Sequence, residues 1–383
     1  MFLKKSIFDR IQHGRFNMQN NHLTYHLNGK KYNPETLVQL CQQKLKVSSA
    51  GEWETHIYEF ILNWLNDEDH ILVNTSGSTG KPKTIALKKS QMAYSARQTC
   101  DFFQLNTEST GLLCLPAAYI AGKMMIVRGL VCGFNLITRE PSGNPFANLN
   151  EKIDFAAITP FQLFQSLETL KNEKSVKTVI AGGGEISPDL EKEVQDIPVR
   201  IFATYGMTET SSHIALRQVN GDERSNDFQV IGETKINTDK RNCLVLENPY
   251  LFDAKLFTND IVDVISENRF RWLGRFDNII NTGGIKVIPE EIEKTIAHLQ
   301  PEVMVVSSVP DNKLGETVVL AIETEGLIEK SQENLLRQIK LLVQPYAIPQ
   351  KIFCIPEFPR TDNGKINRKV LKDLLRNTPE SKI

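Results

Sequence analysis

The segment Thr75-Ser76-Gly77-Ser78-Thr79-Gly80-Lys81-Pro82-Lys83 follows closely on the apolar run Ile71-Leu72-Val73. Hydroxyls, glycines and lysines at the end of a strand make a phosphate cradle. Glycines let the backbone turn so that its N–H groups converge on an anion, and the hydroxyls and lysines add donors and positive charge. The spacing excludes a Walker A loop. That motif places four residues between its first Gly and the Gly-Lys pair and a Ser or Thr after the Lys. Here only Ser78 and Thr79 intervene, and Pro82 follows Lys81.

Three further segments bear on the same chemistry. Thr204-Tyr205-Gly206-Met207-Thr208-Glu209-Thr210 follows Val199-Arg200-Ile201-Phe202-Ala203, a predicted strand. Gly274-Arg275-Phe276-Asp277 leads into Gly283-Gly284-Ile285-Lys286, and Pro359-Arg360-Thr361-Asp362-Asn363-Gly364-Lys365 lies close to the C-terminus. Taken in order, the four segments resemble the adenylate-forming superfamily of acyl-CoA synthetases, adenylation domains and luciferases, over residues 70 to 370. The resemblance implies ATP and CoA as co-substrates, Mg²⁺ as the cofactor, and a carboxylic acid activated as its acyl-adenylate.

It also implies roles for residues. Thr75, Ser76, Gly77, Ser78, Thr79, Gly80 and Lys81 would hold the ATP phosphates. Gly182-Gly183-Gly184-Glu185, after the predicted strand Thr178 to Ala181, would wall the adenine, with Tyr205 and Gly206 facing it. Thr208 would reach the α-phosphate, and Glu209 would hold Mg²⁺, a hard cation that prefers carboxylate and phosphate oxygens. Asp260 would accept hydrogen bonds from both ribose hydroxyls, and Arg275 would touch ribose or phosphate. Lys365, on a Gly-containing turn, would neutralise charge as the adenylate forms. Asp277 would be the hinge about which a small C-terminal domain swivels, bringing Gly283, Gly284 and Lys286 to a tunnel for the CoA thiol.

The acid is read from other positions. Tyr119 stands where many members of the superfamily carry a histidine. Ser211-Ser212-His213-Ile214-Ala215 looks most like the o-succinylbenzoate–CoA ligases of menaquinone biosynthesis, which makes Ser211 and His213 acid-site residues. Arg128 lies inside Met124-Met125-Ile126-Val127-Arg128-Gly129-Leu130-Val131, where an unpaired charge is costly to bury. Its partner is either a protein carboxylate or the second carboxylate of a dicarboxylic substrate such as o-succinylbenzoate. Other readings are a CoA ligase for another aryl or medium-chain acid, a stand-alone adenylating domain, and a noncatalytic nucleotide-binding protein.

The elements that must position these residues are visible as a pattern. Short apolar runs at Ile71 to Val73, Gly111 to Leu115, Asn135 to Thr138, Phe155 to Ile158, Thr178 to Ala181 and Val199 to Ala203 alternate with helical stretches. That alternation predicts an α/β fold with mostly parallel strands. Residues 1–70 read as a polar lead-in with helices over Leu37 to Lys46 and Glu52 to Asn66. After Asn242 come antiparallel strands, and beyond Gly274 an α+β unit. The expected organisation is a large N-terminal α/β domain over residues 1–274, shortened at its N-terminus relative to the superfamily, and a small swivelling α+β domain over 275–383. Dimerisation would be one way to complete the shortened part.

Composition sets the outer limits. The chain has 383 residues, 40% hydrophobic and 24% charged, with 45 Lys and Arg against 46 Asp and Glu for a formal charge of −1. Such a balance gives no electrostatic footprint for nucleic acid or an anionic membrane. The stretch Leu112 to Leu130 contains Pro116, Lys123 and Arg128, so no membrane span is expected. The six cysteines form no CxxC pair and the seven histidines show no metal-ligand spacing. Buried free thiols in a reducing cytoplasm are the expectation.

Overall fold

A computed structural model describes residues 24–46, 51–74, 84–172, 175–325, 329–361 and 364–377. The phosphate-cradle segment from Thr75 to Lys83, with Asp362 and Asn363, lies outside the described residues. The first part of the chain comprises β1 (Tyr25–Leu27), β2 (Lys30–Tyr32), α1 (Pro34–Lys46), α2 (Glu52–Leu65), β3 (His70–Asn74), β4 (Thr84–Lys88) and α3 (Lys89–Phe103). There follow β5 (Thr110–Leu113), α4 (Ile120–Cys132), β6 (Asn135–Thr138), β7 (Phe155–Ile158), α5 (Pro160–Gln165), α6 (Leu167–Asn172), β8 (Thr178–Ala181), α7 (Pro188–Glu193) and β9 (Arg200–Gly206). Next come β10 (His213–Gln218), β11 (Phe228–Val230), β12 (Lys235–Thr238), β13 (Cys243–Glu247), β14 (Leu256–Ser266) and β15 (Arg269–Arg275).

These strands form a 13-stranded sheet in the order β12-β13-β14-β15-β11-β10-β9-β8-β7-β5-β6-β1-β2. Strands β6, β5, β7, β8 and β9 pair in parallel, as the alternating pattern predicts, and from β9 through β12 every pairing is antiparallel. The fold is therefore α/β on a mixed sheet. Period-two side-chain alternation decides which residues fill which face. Phe155 and Ala157 join one core with Leu113, Ile180 and Phe202, whereas Ala156 and Ile158 join the other with Leu112, Val179 and Ile201. Burial on both faces is why these strands read as continuous apolar runs.

Two expectations need correcting. The polar lead-in holds β1 and β2, which close one edge of the large sheet through the parallel β1–β6 pair. The run Ile71-Leu72-Val73 does not enter that sheet; β3 pairs only with β4 in an antiparallel two-stranded ribbon. On α2, the buried face of Ile57, Phe60, Ile61, Trp64 and Leu65 follows helical spacing, and Glu52 and Glu54 complement the dipole in its first turn. Helix α4 is buried on most of its circumference and ends at Gly133, whose φ of 78° sets a left-handed cap.

The remainder builds a separate sheet from β16 (Ile280–Thr282), β17 (Ile285–Val287), β18 (Met304–Asp311), β19 (Gly315–Glu323) and β20 (Lys351–Ile355). Helices α8 (Pro289–Ile296), α9 (Glu329–Leu342) and α10 (Arg368–Asn377) accompany it. On α10, Leu371 and Leu375 are one turn apart and both buried against Val305, Val319 and Phe358. Each such leucine contributes about 1.5–3 kcal/mol by burial, so two suffice to seat this otherwise polar helix. Helix α8 also packs on β15, where Gly274 leaves room for Glu290: a Cβ there would lie 2.5 Å from Glu290 Oε2. Among the described residues no helix is long and apolar enough to cross a membrane.

The cysteine expectation is also corrected. Helices α3 and α4 pack side by side and bring Cys100 and Cys132, 32 residues apart in sequence, into a disulfide. Cys41, Cys114 and Cys243 are buried free thiols, and Cys354 is half-buried.

Candidate active site

The site forms at the C-terminal ends of β8 and β9, where open α/β sheets bind ligands. The glycines there are required by close approach. A Cβ on Gly182 would stand 2.3 Å from Thr204 Oγ1 on the neighbouring strand, and one on Gly206 would meet the backbone of Ser212 and His213 at 2.5 Å. Gly183, with φ 82°, and Gly184 continue an exposed backbone edge ending in Glu185. Desolvation by the protein packed around it pushes the Glu185 carboxyl above the usual carboxylate range, against the pull of Lys294 and Arg217, although the residue keeps an exposed face.

Between β9 and β10 the chain makes a tight turn through Thr208–Thr210. Buried Thr210 ties it, accepting from the Met207 N–H at 2.9 Å and donating to the Met207 carbonyl at 2.8 Å. Ser211, 1% exposed, takes φ 63°, a conformation costly for a residue with a side chain and common where function dictates backbone shape. The turn leaves Thr208 half-buried and Glu209 exposed beside the glycine edge. No cluster of three or more metal-ligating side chains exists among the described residues. A lone exposed carboxylate beside a hydroxyl fits Mg²⁺ carried in on nucleotide phosphates, the usual mode for this cation.

Asp260 is 5% exposed and sits in register opposite Arg275 on β14 and β15. Its Oδ2 accepts from the Tyr205 hydroxyl at 2.7 Å, and its Oδ1 accepts from Trp272 Nε1 at 3.2 Å and Arg275 Nη1 at 3.3 Å. The Tyr205 ring packs edge-on to Phe270 at 5.1 Å, and burial followed by Asp260 holds its hydroxyl far above the usual phenol range. Tyr205 is therefore a permanent donor. Arg275 also reaches Asp277 Oδ2 at 3.3 Å, and Asn259 Nδ2 donates to the same oxygen at 3.1 Å. Asp277 is exposed on the single turn joining β15 to β16.

Lys365 comes from the C-terminal part of the chain, yet its ammonium is pushed below the usual lysine range by desolvation and then by Arg275. Gly283 and Gly284, with φ 58° and 84°, form the exposed turn between β16 and β17, and exposed Lys286 extends over the Phe276 ring, 6.0 Å from its centroid.

A second polar group surrounds Arg128, which is 2% exposed. Its Nη2 donates to Ser212 Oγ at 2.6 Å and lies 3.5 Å from His213 Nδ1, while its guanidinium stands 6.0 Å from the Phe155 ring centroid. Its Nε has no hydrogen-bond partner and, among the described residues, no carboxylate pairs with it. Burial pushes Arg128 down to about 9 and, with the help of Arg128, holds His213 well below the usual imidazole range. His213 Nε2 lies 3.2 Å from Thr99 Oγ1, and the Thr99 hydroxyl donates to the Ser95 carbonyl at 3.2 Å. Ser95 Oγ is buried without a partner. Tyr119, 57% exposed, caps the start of α4 away from this group's burial.

The structure therefore joins Tyr205, Asp260 and Arg275 in one set and Arg128, Ser212 and His213 in another, with Thr208 to Ser211 linking them, while Lys365 stands exposed ahead of α10. Thr99, Ser95 and Trp272 were not legible as site residues. Thr99 and Ser95 come from a helix more than a hundred residues upstream of His213, and Trp272 reads as an ordinary strand aromatic.

The family model for AMP-binding enzymes matches residues 29–240, and the chain belongs to that family. It is an AMP-forming acid–thiol ligase by class. Among its relatives, the protein of Haemophilus influenzae named 2-succinylbenzoate–CoA ligase is 25% identical over 327 residues, covering 79% of this chain and 70% of that one. A solved acyl-CoA synthetase (AMP-forming)/AMP-acid ligase II-like protein from Dyadobacter fermentans is 33% identical with a TM-score of 0.58, covering 88% of this chain and 98% of that one. The o-succinylbenzoate CoA synthetase of Bacillus subtilis, solved with its acyl-adenylate intermediate OSB-AMP, shares the fold at a TM-score of 0.68 and 20% identity, covering 82% and 70%.

Proposed function

We propose that this enzyme is an o-succinylbenzoate–CoA ligase of menaquinone biosynthesis. In the first half-reaction a carboxylate oxygen of the acid attacks the α-phosphorus of ATP and pyrophosphate leaves. In the second, the CoA thiolate attacks the acyl carbon and AMP leaves.

The observation that carries the choice of acid is Arg128. An arginine 2% exposed, with Nε unpartnered and, among the described residues, a serine for its hydrogen-bond acceptor and no carboxylate paired with it, is short of one anion. A monocarboxylic acid spends its only carboxylate on activation. The benzoate carboxylate of o-succinylbenzoate remains after the succinyl one is activated and supplies that charge. Neutral His213 supports this role because it adds no competing positive charge. The name borne by the Haemophilus influenzae relative agrees with it.

On this reading Tyr205, Gly206 and the Gly182–Glu185 edge flank the adenine, Asp260 and Arg275 hold the ribose, and Thr208 binds the α-phosphate. The Thr75–Lys81 segment takes the β- and γ-phosphates. Lys365 places positive charge where negative charge grows on the α-phosphoryl oxygens, a contribution realised mostly in the transition state. Glu209 would hold Mg²⁺ together with the nucleotide, and the cation would screen phosphate charge. The part of the chain beyond Asp277 then swivels, withdrawing Lys365 and presenting Gly283, Gly284 and Lys286 to the thiol. Ser211, His213 and Tyr119 line the way to the acid. The reaction belongs in the cytoplasm, where ATP and CoA are supplied.

The test is direct. With ATP, Mg²⁺ and o-succinylbenzoate the protein should release AMP and pyrophosphate, and thioester should appear only when CoA is added. Release of ADP and phosphate would remove the chemistry, and equal rates with benzoate would remove the assignment of the acid.

A further inference from the structure

We propose that Thr99, on α3, is a positioning residue for the acid: its hydroxyl fixes which nitrogen of His213 carries the proton, and through His213 it sets which edge of Arg128 stays open to a carboxylate. The proposal rests on the acid reading above. A threonine hydroxyl has one proton to give and two lone pairs. The proton of Thr99 goes to the Ser95 carbonyl at 3.2 Å, so toward His213 Nε2, also at 3.2 Å, the oxygen can only accept. A neutral imidazole carries one N–H, and the hydrogen bond made by one ring nitrogen decides the state of the other. Nε2 therefore holds the proton, and Nδ1 is a bare acceptor.

That bare nitrogen faces Arg128. Nδ1 lies 3.5 Å from Arg128 Nη2 and 3.4 Å from Ser212 Oγ, and Ser212 Oγ accepts from the same Nη2 at 2.6 Å. Two acceptors thus occupy the Nη2 end of the guanidinium, which leaves the unpartnered Nε edge as the donor for a ligand. The opposite tautomer would set an imidazole N–H against a guanidinium N–H and turn the arginine away from that bearing. Thr99 and Arg128 are 0% and 2% exposed, so bulk water does not cheaply replace a hydrogen bond lost here. Thr99 acts through His213 and is no ligand of the acid itself.

Two variants separate the hydroxyl from the packing. Thr99→Val keeps the branched shape without the hydroxyl, and Thr99→Ser keeps the hydroxyl without the methyl. KM for o-succinylbenzoate should rise about threefold to tenfold in Thr99→Val, with KM for ATP nearly constant, and stay within about twofold of the unaltered enzyme in Thr99→Ser. KM for the analogue lacking the benzoate carboxylate should stay level in both. A packing role would make the serine variant the worse of the two; that order, or equal rises for both acids, would overturn the proposal. Nitrogen-15 NMR of histidine-labelled protein without acid reads the tautomer directly, His213 being assigned by the signal missing in His213→Gln. The ring should be protonated on Nε2 in the unaltered protein and in Thr99→Ser, and should lose that preference in Thr99→Val. An Nδ1-protonated ring in the unaltered protein would overturn the proposal even where the valine variant fails to fold. Failure to turn over o-succinylbenzoate would instead remove the acid reading, and the part of Thr99 in choosing the acid with it, while the NMR result would still decide the hydrogen-bond chain.

Discussion

The two buried ionic centres of the site are built in opposite ways. Asp260 is complete before any ligand arrives: an arginine neutralises it and a phenol and an indole satisfy its oxygens. Arg128 is incomplete, with a serine and a neutral histidine for company and one N–H without an acceptor. A buried charge that is already paired costs little to keep and serves as a fixed frame. One without a counter-charge is a standing destabilisation that a ligand of opposite sign relieves. The nucleotide side is therefore preorganised, and the acid side draws its specificity from what it lacks.

That contrast can be broken by mutation. Asp260→Ala strips Tyr205 and Trp272 of their acceptor and Arg275 of its partner, so the free protein should lose about 2–5 kcal/mol in a denaturant titration. Arg128→Met should do the reverse. Replacing an uncompensated buried charge by an apolar side chain of similar size is neutral or stabilising by about 1–4 kcal/mol. A large loss of stability in Arg128→Met would mean that Arg128 is a structural ion-pair residue.

Kinetics sharpen the nucleotide half. Lys365→Ala should slow adenylation by about 10²- to 10³-fold, the cost of removing one preorganised donor from a growing oxyanion. Thioester formation from preformed acyl-AMP should change far less. Equal losses in both steps would make Lys365 structural.

The smallest effect concerns His213 and pH. Its folded value is held below the unfolded one near 6.5, so the unfolded chain binds the extra proton as pH falls. The stability it protects is fully present above about 6.5 and declines below it, by at most about 1.4 kcal/mol per pH unit. Melting profiles between pH 5 and 7.5 should show this slope, and His213→Gln should flatten it. An unchanged slope would place the titrating group elsewhere.

How far the sequence foretells this arrangement depends on distance along the chain. The strands from β5 to β9 are legible because each is a continuous apolar run buried on both faces. The motif residues on β9 and β14 are legible because they sit beside strands in fixed order. Strands β1 and β2 are not, since three residues each carry no periodicity and the edge they form depends on β6, more than a hundred positions away. Ile71-Leu72-Val73 misleads in the same way, because apolarity specifies burial but not which sheet supplies it. The support for Arg128 from α3, and the Cys100–Cys132 pair, arise from the packing of α3 against α4, which leaves no trace in either helix alone. Arg128 itself stands out for a simple reason: a charge amid apolar helix residues demands a partner, although only the structure reveals that the described residues contain no carboxylate for it.

The direct test of the unpaired Arg128 is a specificity ratio. The kcat/KM for o-succinylbenzoate should be compared with that for the analogue lacking the benzoate carboxylate, in the unaltered enzyme and in folded Arg128→Leu. Losing one partner of a buried charge-assisted pair costs about 2–5 kcal/mol. The ratio should therefore collapse by more than about tenfold, through KM for the acid, while KM for ATP stays nearly constant. An unchanged ratio in the folded variant would contradict the account, leaving Arg128 a core residue with no part in choosing the acid.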